Sequence, residues 1–253
     1  MTSPDALVRD MVFPIIHAKK VDGGIEMVSF LGTGFLVGSK GYALTAAHVM
    51  EVDKVKDHAV VGMFVQKETG KWTVWNADLC DVHPSEDVAL LKMRNDHWEE
   101  AAFKVSFEKQ FSAFEYKLFG YPYANLYEDA DARAPDGRVL GRPDLIYSAG
   151  HIRRRTNFSL PGIRGRCFYE LSQPVGSGCS GSPIFTVRGR SWEVVGIYVA
   201  DKSESVSFYK LNENLDQELE TIEFPGALAY AVRLDDLSEW KPKVLNDHLD
   251  QIP

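Results

Sequence analysis

The chain has 253 residues, 45% apolar and 25% charged, with a formal net charge of −8. This is the balance of a globular protein with ample length for a large core. The acidic surplus speaks against general nucleic-acid or anionic-membrane binding, which favours basic surfaces. No apolar run approaches membrane-spanning length, and Met1-Thr2-Ser3-Pro4-Asp5 lacks the basic and apolar regions of a signal peptide. Cys80, Cys167 and Cys179 are an odd set without paired spacing. For a full-length chain they imply a reducing, cytoplasmic setting.

In chain order, Val12 to Lys19 and Ile25 to Val37 read as strands around Gly23-Gly24, with a bulge expected at Gly32. Gly38 to Gly41 reads as a turn, and Tyr42 to Val49 leads back towards His48. Strands are expected over Ala59 to Gln66 and Lys71 to Asn76, with a turn at Glu68-Thr69-Gly70, and Cys80 to Met93 carries Asp87. Trp98 to Phe107 is expected to close a first barrel. The acidic stretch Tyr123 to Asp136 reads as a long surface loop. Further strands fit Arg138 to Ile152, Arg166 to Leu171, Ser182 to Val187, Trp192 to Ala200 and Ala227 to Val232. Leu234 to Leu249 has helical spacing, with Pro242 as a break, and no repeats are present.

The chemistry concentrates in Gly176-Ser177-Gly178-Cys179-Ser180-Gly181-Ser182-Pro183. Flanking glycines permit a sharp turn, so that the amides of Gly178 and Ser180 can converge on one developing oxyanion. A serine hydroxyl needs a base, and the base needs an orienting group. Leu44-Thr45-Ala46-Ala47-His48 and Asp87-Val88-Ala89-Leu90-Leu91 supply candidates in the order His48, Asp87, Ser180. Singly, His48 is an ordinary core histidine and Asp87 an ordinary turn residue; it is the three together, in this order, that point to nucleophilic catalysis. Glu86 is the neighbouring carboxylate. Cys80 and His83 have metal-like spacing but lack a second pair, so neither a metal nor any other cofactor is expected.

With Gly32-Thr33-Gly34-Phe35 and Val195-Gly196-Ile197 added, these motifs resemble the trypsin/chymotrypsin-like serine protease superfamily. In style they are nearest to the bacterial high-temperature-requirement and glutamyl-endopeptidase branches. The resemblance implies an all-β fold of two six-stranded antiparallel Greek-key barrels with the site in the cleft between them, closed by a short C-terminal helix. It places residues 1–112 in the first barrel, with His48 and Asp87, and 113–253 in the second, with Ser180. No peptide-binding domain is expected after the second barrel. The implied activity is that of a bacterial serine endopeptidase acting through an acyl-enzyme on a protein or peptide substrate. A silent peptide-binding module and an esterase are the alternatives.

The resemblance also sets expectations for specificity and control. It puts the pocket walls at Pro174 to Ser177, Tyr198 to Asp201 and Gly226 to Tyr230, with Ser177, Tyr198, Val199, Ala200 and Asp201 in contact with substrate. Pro174 stands where trypsin carries its selective aspartate, and Tyr198 where the glutamate-specific branch carries histidine. Gly226, Ala227 and Ala229 instead suggest a small or medium apolar residue before the cut. Cys179 replaces the aspartate used in zymogen activation, which leaves control to an activating protein partner, a loop rearrangement or cysteine oxidation. Arg153-Arg154-Arg155 with Arg164 and Arg166 is either a solvated strand end or an anion patch. Asp201 to Glu223 reads as an acidic loop beside the substrate strand.

Overall fold

The computed structural model describes residues 4–22, 24–65, 72–95, 98, 101, 103–122, 126–133, 139–188, 191–211 and 216–252. The turn expected at Glu68-Thr69-Gly70 lies outside them. A short helix, α1 (Pro4–Met11), turns Val8 and Met11 into the core. Six antiparallel strands then form a closed barrel: β1 (Val12–Val21), β2 (Gly24–Val37), β3 (Tyr42–Thr45), β4 (His58–Val65), β5 (Trp72–Val82) and β6 (Ala89–Met93), in the order β1-β2-β3-β6-β5-β4. Its interior is filled by Phe13, Ile15, Phe35, Leu44 and Leu90, all fully buried, and by Phe64, whose ring centroid lies 4.6 Å from that of Phe13. Each such side chain contributes ~1.5–3 kcal/mol by leaving water. The expected bulge falls beside Gly32: Ile15 pairs with Gly32 and Ile16 with Phe30, which leaves Leu31 as the extra residue.

The second ring follows from β8 (Glu115–Gly120), β11 (Ile146–Asn157), β12 (Cys167–Leu171), β13 (Pro183–Arg188), β14 (Ser191–Leu211) and β15 (Gln217–Arg233). They run in the order β13-β8-β11-β12-β15-β14, and a β13–β14 pairing closes the ring. The fold is therefore all-β, as the motifs imply.

Four segments differ from the sequence reading. Phe103–Val105, β7, does not close the first barrel; it pairs in parallel with Trp192–Val194 of β14. Phe103 is drawn there by Phe185, with ring centroids 4.6 Å apart. Within the expected acidic loop, Leu126–Arg133 (β9) forms a two-stranded sheet with β10 (Val139–Pro143). The second acidic stretch is likewise no loop. Ser203–Leu211 pairs with Gln217–Pro225 as an outward extension of the β14–β15 hairpin, favoured by β-formers such as Val206, Phe208, Thr221 and Ile222, with Val206 opposite Ile222.

The C-terminal helix is also absent as an α-helix. Its expected span holds a 3₁₀ turn at Leu234–Leu237, and a second begins at its last residue, Leu249–Gln251. Between them the amides of Leu245 and Asn246 both donate to Pro242 O, and Asn246 takes φ 55°. Leu234, Leu237 and Leu249 are buried, as their apolar character requires, but by turns rather than by a helical face.

Candidate active site

His48 is the second residue of a 3₁₀ turn, Ala47–Met50, which Ala46 joins to the end of β3. Its backbone amide donates to Asp87 Oδ1 at 2.9 Å, and its Nδ1 lies 2.6 Å from Asp87 Oδ2. Asp87 is 1% exposed, whereas the His48 side chain is 42% exposed. A buried carboxylate accepting from Nδ1–H fixes the tautomer that leaves Nε2 with its lone pair outward. The neighbouring Glu86 has other work. Its Oε2 accepts from the amides of Arg166 and Cys167 at 3.0 and 3.1 Å, tying the Asp87 loop to the start of β12. Arg164 reinforces this tie by donating to the carbonyls of His83 and Pro84. His83 Nδ1 accepts from the amides of Ser85 and Glu86, so its ring shapes this loop.

Ser180 lies in a loop where Gly176, Gly178 and Gly181 take φ 94°, 95° and 91°. Thr33, wholly buried in β2, bolts this loop to the first barrel. Its amide donates to Ser180 O at 2.8 Å, and its hydroxyl donates to Gly178 O at 3.0 Å while accepting from Tyr121 N. Thr45 in turn donates to Thr33 O at 2.7 Å. An ideal Cβ on Gly32 would lie 2.7 Å from both Ser180 O and Val49 Cγ2. The serine loop and the histidine turn therefore meet over that glycine. The amides of Gly178 and Ser180 donate to no acceptor among the described residues. The Ser180 hydroxyl donates to Val199 O at 3.0 Å and, among the described residues, makes no hydrogen bond to His48.

Of the expected pocket residues, Ser177 is exposed, Tyr198 and Val199 are buried, and Ala200 and Asp201 are partly buried. In the β14–β15 register Ala200 faces Tyr230 and Asp201 faces Ala229, which brings two of the three walls together. The third is joined by hydrogen bonds: Val175 N donates to Tyr198 Oη and to Asp201 Oδ1, each at 3.2 Å, and Gly176 N donates to Asp201 Oδ2 at 2.9 Å. The Tyr198 hydroxyl also donates to Asp201 Oδ1. Burial, with the nearby Asp201 charge, raises the Tyr198 phenol well above its ordinary value. Cys179 is buried, with Sγ 3.7 Å from Val175 O; burial, helped by Asp201, pushes its thiol up to about 12. Burial thus favours the neutral thiol over the thiolate that nucleophilic attack would need.

The arginine run is internally paired. Arg153 and Arg154 reach Glu170 at 3.9 and 2.7 Å, and Arg155 reaches Asp235 at 2.6 Å. The run therefore faces carboxylates on β12 and on the 3₁₀ turn at Leu234–Leu237, while Arg164 donates to the carbonyls of His83 and Pro84 and Arg166 to Ser159 Oγ.

In the sequence Gly32-Thr33-Gly34 stands only as a motif, and the bolt formed by Thr33 is invisible without the fold. The one signal for it was the placing of a hydroxyl residue between two glycines.

Two β-barrels, a histidine–aspartate pair from the first and a glycine-flanked serine loop in the second are the arrangement of trypsin-like serine proteases. The chain belongs to the trypsin-like peptidase domain family, which matches residues 32–197. Among solved structures it is similar to the MamO protease domain from Magnetospirillum magneticum, with 15% identity, TM-score 0.53, and 91% of this chain and 95% of that one covered. It is also similar to the HtrA-type protease AlgW with a tripeptide, with 14% identity, TM-score 0.55 and 90% of this chain covered. A variant of that protease with a decapeptide gives 14%, 0.56 and 92%. The chain spans only 57% and 63% of those two proteins. At such identities the likeness establishes the fold. No curated protein sequence matches significantly.

Proposed function

We propose that the protein is a serine endopeptidase in which Ser180 is the nucleophile, His48 the general base and Asp87 its orienting group. The observation that carries this reading is the His48 side chain, held by Asp87 at Nδ1 yet 42% exposed, beside a serine loop with two uncommitted amides. The Ser180 hydroxyl turns from Val199 O to Nε2 by a side-chain rotation; such hydrogen bonds are often unformed before substrate arrives. Ser180 Oγ then bonds to the scissile carbonyl carbon as its proton passes to Nε2. The oxyanion is received by the amides of Gly178 and Ser180. His48 protonates the leaving nitrogen as the C–N bond breaks, and water reverses the sequence on the acyl-enzyme.

A peptide substrate is favoured by β14. Beyond Ile197 its edge away from β15 has no strand partner among the described residues, so Val199–Asp201 can pair with an extended chain. Three free cysteines support a reducing compartment. A partner that triggers the Ser180 rotation would supply control, and a catalytically silent peptide binder is favoured by one observation alone, the Ser180–Val199 bond.

A fluorophosphonate probe decides between enzyme and binder. Labelling should survive Cys179→Ala and vanish with Ser180→Ala; a wild type that stays unlabelled with every peptide added would leave only the binder. Pocket shape leads to a second expectation. Tyr198 is buried, Asp201 is engaged in the wall and Ala229 is small, so Ala, Val or Leu before the cut should outrun Arg or Glu by about 10-fold or more. A peptide-library profile dominated by Arg would refute this.

A further inference from the structure

An aspartate beside a protease cleft invites a role in selecting basic substrates, and the geometry of Asp201 points elsewhere. Both carboxylate oxygens are engaged inside the protein: Oδ2 accepts from Gly176 N, and Oδ1 accepts from Val175 N and from the Tyr198 hydroxyl. The residues it grips begin the serine loop. Gly176 O accepts from Cys179 N at 3.3 Å, Cys179 O accepts from Ser182 N at 3.0 Å, and Tyr198 O accepts from Gly181 N at 2.7 Å. The loop is thus held on two sides. Thr33 grips it from the first barrel at Gly178 and Ser180. Asp201 and Tyr198 grip it from β14.

We propose that Asp201 is a positioning residue, whose carboxylate, itself steadied by the Tyr198 hydroxyl, braces the Val175–Gly176 wall and so keeps the Gly178 and Ser180 amides aimed at the oxyanion. This deepens the peptidase reading and rests on it. Two backbone donors and one hydroxyl donor converge on one side chain, and only a carboxylate offers acceptors to all three. Asparagine would turn an amide nitrogen towards at least one of these donors. Two peptide amides would then compete for one carbonyl oxygen, and the wall would loosen. Gly176, with φ 94°, has open space where a Cβ would stand, so on that side no neighbour blocks the movement.

The test compares wild type with Asp201→Asn and Tyr198→Phe by hydrogen exchange, labelling and peptide turnover. Amides 175–179 should exchange faster in Asp201→Asn, and less so in Tyr198→Phe, which loses the Val175 N–Tyr198 Oη bond but keeps both peptide contacts to Asp201. In Asp201→Asn, kcat should fall about 100-fold, the usual result of displacing oxyanion donors by an ångström or so. KM should change little, and the loss should be equal for every residue before the cut. Unchanged exchange overturns the brace, whether or not the wild type is labelled. So does faster exchange with undiminished turnover, or a loss confined to Arg and Lys substrates. Faster exchange in a protein whose wild type takes no label leaves the brace standing and sinks the peptidase reading instead.

Discussion

Replacing Asp87 by asparagine is expected to leave the barrel folded and to lower kcat for peptide hydrolysis by about 10⁴-fold, the size of effect that a wrong imidazole tautomer produces. The reason lies in the two contacts that Asp87 makes. Oδ1 accepts from the His48 backbone amide, a donor that cannot change its role. An asparagine must keep its carbonyl oxygen there, because the reverse orientation would set N–H against N–H. Its amide nitrogen then faces Nδ1, which must become an acceptor, and the imidazole proton moves to Nε2. In that tautomer the ring cannot take the Ser180 proton. Glu86 cannot step in, because its carboxylate is held by Arg166 and Cys167. The check is kcat for Asp87→Asn on a peptide substrate, with a thermal melt to confirm folding. A loss under about 10-fold would mean that His48 is not the base.

The same pair marks what could be read in the sequence. His48, Asp87 and Ser180 each sit in a short local pattern whose order restricts the chemistry, so all three stand out in the sequence as candidates, and the structure joins the first two. The competition between Glu86 and Asp87 was settled by the apolar strand after Asp87, and the structure gives each carboxylate a separate task. Thr33 and Asp201 were not legible in the same way. Thr33 reaches Gly178 across 145 positions and Asp201 reaches Gly176 across 25, and no periodicity records contacts at such separations. The sequence reading puts Asp201 in contact with substrate, whereas in the structure its carboxylate accepts from the backbone amides of Val175 and Gly176.

Fold errors have the same origin. β7 is three residues long, too short to carry a pattern, and its place is set by Phe185 and Trp192 far along the chain. The C-terminal leucines had helical spacing because they share a buried side, and successive turns satisfy that requirement as well as a helix. Polar composition suggests loops over Tyr123 to Asp136 and Asp201 to Glu223, whereas strand pairing within them needs only alternation.

Gly181→Ala should be the most destabilising single methyl in the protein's active-site loop, at about 4 kcal/mol or more. Gly181 takes φ 91°, where an L side chain is strained in any surroundings. Its surroundings are also closed. An added Cβ would run into Thr33 O and Thr45 Oγ1, the acceptor and donor of the bond that anchors β3 to β2, with Ala46 N only 3.2 Å away. None of these can withdraw cheaply, since Thr33 and Thr45 are both wholly buried and Thr33 also carries Ser180 and Gly178. Gly162→Ala serves as the control: its φ of 71° is also left-handed, but nothing lies within 4 Å of the new methyl. That variant should cost only about 1–2 kcal/mol, the conformational part alone. For a chain of this length the difference should appear in thermal melts, with Gly181→Ala lowered by roughly 8–16 °C and Gly162→Ala by a few degrees. If the two melted together, backbone strain alone would set the cost, and the close approach of the two barrels at Thr33 would contribute nothing. If Gly181→Ala melted far lower yet still took the fluorophosphonate label at the wild-type rate, the clash would be relieved without moving Ser180, and the loop would be less tightly coupled to β2 than the Thr33 contacts require.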